Sequence, residues 1–259
     1  MKKYIENFTK YNYLLGELIK KDIKLKYRRS KLGILWTLLE PILTTIVLTI
    51  VFTKLKGKGG KDYPFSVYIL TGRLLYSFFS GSTKAAAKSI RSNASMIKKV
   101  YVPKYIYPLS SILSNYVIFI ISMIVLVGAM IVFRVKLTIY IFGAIVPLIL
   151  LLVMSLGIGM FLSTIAVFFR DVEYLWSVVL MLIMYMSAIF YEPSQVADVE
   201  WIFKWNPLYC IIVNFRQTIL FGEPMDMFAL IYSAVFAFGS LLIGVLTFYK
   251  KQDEFILNI

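Results

Sequence analysis

The chain has 259 residues, 59% of them hydrophobic, with a mean hydropathy of +0.77 and a formal net charge of +14. That balance excludes an ordinary soluble domain and matches a polytopic membrane protein, one membrane domain with little room for another. A single cysteine, Cys210, excludes a disulfide framework, and the absence of histidine removes histidine general bases, phosphohistidine chemistry and most zinc sites.

Residues 1–31 are polar and basic without a short apolar core, so no cleavable signal peptide is expected. They predict a cytoplasmic amphipathic helix. Tyr11, Leu14, Leu15, Leu18, Ile19 and Ile23 share one side at 100° per residue, and Lys20, Lys24, Arg28 and Lys31 share the other. Asp22, Lys26 and Arg29 interrupt the apolar sector. Such a helix suits both an anchor on anionic lipid and a docking surface for a cytoplasmic partner. The basic residues abut the first apolar run, 32–52, which places the N-terminus in the cytoplasm and makes nucleic acid an unneeded explanation of the charge.

The first span, 32–52, carries Glu40-Pro41 inside its apolar run. Lys54, Lys56, Lys58 and Lys61 follow in a loop that parity puts outside, and the glycines among them lack phosphate-loop spacing. The second span, 64–83, carries Arg73 and leads into a basic cytoplasmic loop, 84–104, where Asn93 is placed to cap a short helix that Pro103 stops. The third span is 109–133. The fourth, 138–169, is interrupted by Gly143, Pro147, Gly157 and Gly159, as small-residue packing requires. Asp171 caps the fifth span, 172–191, and Glu173 complements its dipole. Residues 192–223 are irregular. Their apolar run from Leu208 to Leu220 is too short to cross, and Trp201, Trp205, Asn206 and Pro207 precede it, so short helices that re-enter from, or lie in, the outer interface are expected. The last span, 227–249, ends at Lys250-Lys251. Six spans with both termini cytoplasmic satisfy parity and charge, so the fold class is an all-α polytopic membrane protein.

Four stretches together resemble the membrane subunits of ABC exporters for surface polysaccharides, the ABC-2 permeases for O-antigen and teichoic acid. They are Leu32-Gly33 with Trp36 and Pro41, the run from Met96 through Lys98 and Lys99 to Pro103, then Arg170-Asp171-Val172, and Asn206-Pro207-Leu208 with Arg216. The resemblance covers nearly the whole chain. It departs where Ser187 is followed by Ala188 rather than proline, and where Gly72 is followed by Arg73 rather than an apolar residue. It implies two copies of this subunit with two copies of a separate cytoplasmic ATPase, which binds ATP and magnesium, and no cofactor, metal or catalysis in this subunit. It also implies a lipid-linked glycan as cargo and no nucleic-acid partner. The ATPase-coupling surface expected from it comprises Asn93, Met96, Ile97, Lys98, Lys99, Tyr101, Pro103, Arg170 and Asp171, and the outer gate comprises Asn206, Pro207 and Arg216.

A sliding sugar polymer suits aromatic rings, whose faces pack sugar C–H groups without fixed direction. Trp36, Tyr76, Phe78, Phe79, Tyr185, Phe190 and Tyr191 are candidates to line a conduit, although core and interfacial packing account for the same residues. Glu40 and Arg73 lie on adjacent spans with a remaining offset of roughly 8 Å, which predicts an ion pair; the alternative is that Arg73 meets an anionic group of the cargo. A membrane glycosyltransferase or phosphatase would need clustered carboxylates, and Asp171 with Glu173 is already explained by helix capping. An exporter of small amphiphiles, and a channel or scaffold, are the other classes compatible with this plan.

Overall fold

The computed structural model describes residues 2–28, 30–56, 63–100, 102–193 and 200–259, and among them every regular element is helical. Tyr101, Lys58 and Lys61 lie outside the described residues. Helix α1 spans Lys2–Tyr27, α2 Trp36–Lys56, α3 Phe65–Ser92 and α4 Ala94–Lys99. Next come α5 (Ile106–Val132), α6 (Ile145–Phe168) and α7 (Val172–Tyr185). The short α8 (Glu200–Lys204) and α9 (Pro207–Arg216) precede α10 (Met227–Lys251) and a final turn, α11 (Phe255–Asn258). Among the described residues four stretches are long and apolar enough to cross a membrane: Gly33–Val51, Ile106–Val132, Ile139–Phe168 and Met227–Asn258.

Helix α3 is the hub. Its first turns are buried almost continuously, from Val67 through Leu75, and it packs on α2, α5, α6, α7 and α9. The helix does not stop at Thr83 but runs on to Ser92. Ala86, Ala87, Ser89 and Ile90 continue its buried face while Lys84 and Lys88 stay exposed, so the apolar stripe outlasts the uncharged stretch. Likewise α6 starts at Ile145 behind a 3-10 turn over Ile139–Ala144, leaving Pro147 in its first turn, where no N–H partner is lost. Against α6, α10 makes a close backbone seam. A Cβ on Gly244 would overlap the Gly157 carbonyl, and one on Gly157 would overlap the backbone of Leu241. Glycine at both positions lets the two backbones touch, which is how helices associate when lipid offers no hydrophobic drive.

Proline 41 sits inside α2 and has no N–H for the Thr37 carbonyl. That carbonyl accepts instead from the Ser122 hydroxyl of α5 at 3.1 Å. In hydrocarbon the freed acceptor needs such a donor, and the replacement bond pins α2 to α5.

One end of the molecule is a second, smaller core. Leu15 and Leu18 of α1, Ile90, Ile97 of α4, Ile106, Tyr107, Val167, Phe248 and Phe255 pack there as one cluster. The N-terminal helix, α4 and the chain's last turn therefore share an end, with Lys20 and Lys24 of α1 exposed and Lys21 donating to Asn93 Oδ1 at 3.3 Å. Burial raises the Asp22 carboxyl above its ordinary value, while Lys21 and a hydrogen bond with Ser111 of α5 pull it back down. Helix α1 thus lies on the body of the protein as well as presenting a basic face.

Candidate functional site

Between the end of α1, α2, α3 and α5 lies a cavity of about 200 Å³ lined by Lys26, Glu40, Thr44, Arg73, Ser77 and Asn115 among others. Lys26 stands toward its mouth, 5.9 Å from the Tyr27 ring centroid. Crowding by protein pulls its ammonium below the usual lysine value, and Glu40 opposes that shift. Arg73 lies eight residues into α3, about 12 Å along it at 1.5 Å per residue. An unpaired cation at such depth costs about 2.5–3.5 kcal/mol on insertion scales.

The expected Glu40–Arg73 ion pair is not made. Arg73 Nε donates to the Thr44 hydroxyl at 3.1 Å, and Thr44 in turn donates to the Glu40 carbonyl at 2.6 Å. The reason is the axial offset. Thr44 is one helical turn beyond Glu40, about 6 Å farther along α2, and so meets Arg73 at its own level. Among the described residues no carboxylate lies within 4.0 Å of Arg73, and neither Nη group has a hydrogen-bond partner.

A neighbouring apolar groove of about 580 Å³ continues along α2 and α5 toward the opposite end of the chain. It is lined by Ile42, Ile46, Ile50, Gly128 and Val132 and shares Leu70 with the charged cavity.

Arg216, buried where Arg73 is half-buried, is organised differently. Asn206 caps α9, its side chain accepting from the backbone N–H of Leu208 at 3.0 Å, and Pro207 follows at a position that loses no bond. The Asn206 amide also donates to the Met186 carbonyl and the Ser187 hydroxyl, each at 3.0 Å. Helix α7 has ended at Tyr185, six residues short of the expected bound, and Ala188 takes φ +45°. That break turns carbonyls toward α9. Arg216, 2% exposed, donates to Ala188 and Tyr68 carbonyls at 3.0 Å and to Ile189 at 3.4 Å, with its Nε on the Thr71 hydroxyl at 3.4 Å. Its guanidinium lies 3.5 Å from the Tyr68 ring centroid. Gly72 makes the room, since a Cβ there would stand 2.5 Å from Arg216 Nη2.

Helix α7 hangs on α3 by polar tethers. The Tyr76 hydroxyl donates to the Leu180 carbonyl at 2.9 Å and Trp176 Nε1 to the Thr83 hydroxyl at 2.9 Å, while Arg91 and Lys88 pair with Glu173. Asp171 occupies the cap position of α7 without a capping hydrogen bond, and Glu173 serves the α3 cations rather than the helix terminus alone. Only Leu180 of α7 is fully buried.

The candidate conduit residues do not form one lining. Phe78 and Phe79 are buried in the core, Phe79 edge-on to Trp176, and Phe190 is buried in the same cluster. Tyr76 is committed to α7 and Tyr191 donates to the Tyr185 carbonyl, which leaves Trp36 and Tyr185 as the well-exposed members. The coupling set divides too. Ile97 points into the small core at 8% exposure and Met96 packs beside it, because α1 and the C-terminal turn supply an apolar bed under α4. Ser95, Lys98, Lys99 and Val100 are exposed, with Lys98 on the Ile259 carbonyl at 2.5 Å. Asn93 stands at the cap position of α4, but its amide donates to the Ser89 carbonyl at 2.9 Å. Pro103 is half-buried, and Arg170 and Asp171 form an exposed turn. Among the described residues no three His, Cys, Asp or Glu side chains gather as a metal site would require.

Comparison with known proteins agrees with this plan. A family model described as ABC-2 type transporter matches residues 13–220. The chain is 26% identical over 256 residues to an O-antigen export system permease protein of Klebsiella pneumoniae, covering 95% of this chain and 96% of that one. A permease of the same name from Myxococcus xanthus is 24% identical, with both chains covered in full. The polysialic acid transport protein KpsM of Escherichia coli is 23% identical, over 93% of this chain and 94% of its own.

Proposed function

The chain belongs to the ABC-2 type transporter family, and from that premise we propose that it is the membrane subunit of an ATP-driven exporter of a lipid-linked surface polysaccharide. The cargo class is O-antigen, capsule, teichoic acid or a related glycopolymer, carried across the cytoplasmic membrane. The observation that carries this reading is the end-to-end alignment with proteins named for O-antigen export and polysialic acid transport.

In this reading α2, α3, α5, α6, α7 and α10 make six spans with both termini cytoplasmic, and α8 and α9 lie at the outer leaflet. The subunit works as a pair. Helix α7 supports this, since its exposed Leu175, Val178, Leu182 and Tyr185 offer a long apolar face with little of its own chain against it. Two cytoplasmic ATPase subunits supply ATP and magnesium chemistry, and this subunit is not itself catalytic. The surface offered to them is the exposed side of α4 with the Arg170-Asp171 turn and the basic face of α1, rather than Ile97, which the small core uses.

The test is purification of the tagged chain from its own membranes in mild detergent, beside deletion of its gene. An ATPase subunit should co-purify in equal copy number, a lipid-linked glycan should be extractable from the complex, and the deletion strain should lose its surface glycopolymer. A deletion strain with its full surface glycan, or a complex holding only a small amphiphile without sugar, would overturn the reading.

A further inference from the structure

The charged cavity and the apolar groove beside it meet at Leu70, and both run along α2 and α5. The charged part opens at Lys26 and Tyr27, at the end where α1 lies, and the apolar part continues away from that end to Val132 and Phe133. Its wall carries two cations, Lys26 and Arg73, against one carboxylate, Glu40. Arg73 spends only its Nε on the protein, leaving the two Nη groups, a planar fork that matches the oxygens of a phosphate. A polar chamber with excess positive charge that opens at the α1 end, joined at Leu70 to a hydrocarbon-lined groove that continues to the far end of α2 and α5, has the shape and chemistry of an amphiphile with a phosphate head.

We infer that this compartment holds the phosphate group of the cargo's lipid carrier, with its hydrocarbon chain laid in the groove between α2 and α5. The inference rests on the exporter reading above and deepens it. Lys26 meets the head as it arrives at the surface, Arg73 receives it deeper, and Asn115 and Ser77 border the same space. Glu40 limits the net attraction, so that a bound head is released rather than trapped. Phosphate chemistry is shared by bulk phospholipid and by free phosphate, and the groove is what selects a head bearing a long apolar chain.

Binding of radiolabelled geranylgeranyl phosphate to the purified full chain in detergent tests this without the ATPase or any export. The probe should bind saturably. Arg73→Gln and Lys26→Gln should each weaken it, the former at least tenfold. Gly128→Phe gives a variant that keeps every charge. No atom lies within 4 Å of a Cβ at Gly128, so the ring enters the groove without a clash at its base and should also weaken the probe tenfold. Geranylgeraniol and inorganic phosphate should compete at least tenfold less well than the probe. Competition by inorganic phosphate at equal concentration, equal binding of phosphatidylglycerol, or unchanged binding in Arg73→Gln and Gly128→Phe would overturn the assignment. A Gly128→Phe chain that binds normally but loses self-association would give the groove to a second copy instead, which also overturns it. Because this readout needs no transport, a failed exporter reading would show as an intact surface glycan in the deletion strain, and a failed site would show here.

Discussion

Arg73 and Arg216 meet α3 at adjacent levels, one as its own side chain and one packed against Gly72, and they live in opposite conditions. Arg216 is sealed, with three carbonyls, a hydroxyl and an aromatic face around it. Arg73 has one hydroxyl and an open chamber. Neither has a carboxylate in contact among the described residues. The difference teaches that a buried cation can be satisfied without a carboxylate, chiefly by backbone carbonyls, when a helix breaks beside it, as α7 does at Met186–Tyr191, and that such a cation is then structural. A cation left with free donors in a polar chamber retains its capacity for something that arrives.

The largest effect should come from removing the sealed one. Arg216→Leu removes four hydrogen bonds from a charged donor at once, to the Thr71 hydroxyl and the Tyr68, Ala188 and Ile189 carbonyls, and bonds to charged groups are worth about 1.5–3 kcal/mol each. A loss of several kcal/mol is large against a total of about 5–15 kcal/mol. It should appear as a collapse in the fraction of folded protein surviving a heating series in detergent; a stable Arg216→Leu protein would mean that the junction is not held by this side chain.

Next in size is Gly72→Ala. Its Cβ would press on Arg216 Nη2 and cost about 1–3 kcal/mol by overpacking. In an Arg216→Leu background the same change should be nearly neutral, and the double-mutant cycle measures that coupling. Additive costs would show that Gly72 is needed for some other contact.

Smaller again is Ser122→Ala, which strips the donor from the Thr37 carbonyl and should cost about 0.6 kcal/mol, the mean found for such bonds in membrane helices. Restoring the backbone N–H with Pro41→Ala should abolish the effect. The melting shift of the double variant relative to Pro41→Ala alone checks it.

The two arginines were unequally legible before the fold was known. Arg73 stands alone in an apolar run, as Glu40 does, so their depth and proximity followed from 1.5 Å per residue. Which residue faced Arg73 did not, because a one-turn error in axial offset exchanges Glu40 for Thr44. Arg216 was visible only as an interruption of a short run. Its partners lie on α3, up to 148 positions away, and at Ala188 and Ile189, whose carbonyls are turned by a break that no glycine or proline marks. The same logic covers α4. Its six residues have too little periodicity to reveal a face, and the residues that bury Ile97 come from both ends of the chain. By contrast the small-residue packing of α6 and the amphipathic stripe of α1 are local patterns with local causes, and the structure carries them as the sequence implies.

The contrast is tested most directly by export per inserted molecule in Arg73→Gln, with surface glycopolymer normalised to folded permease in the membrane. Arg73 contributes one hydrogen bond to the fold, so the variant should insert and melt within about 1 kcal/mol of the parent chain. Export per molecule should nevertheless fall at least tenfold. Normal export per molecule, or a loss of export matched by an equal loss of folded protein, would contradict the account and make Arg73 a second structural arginine.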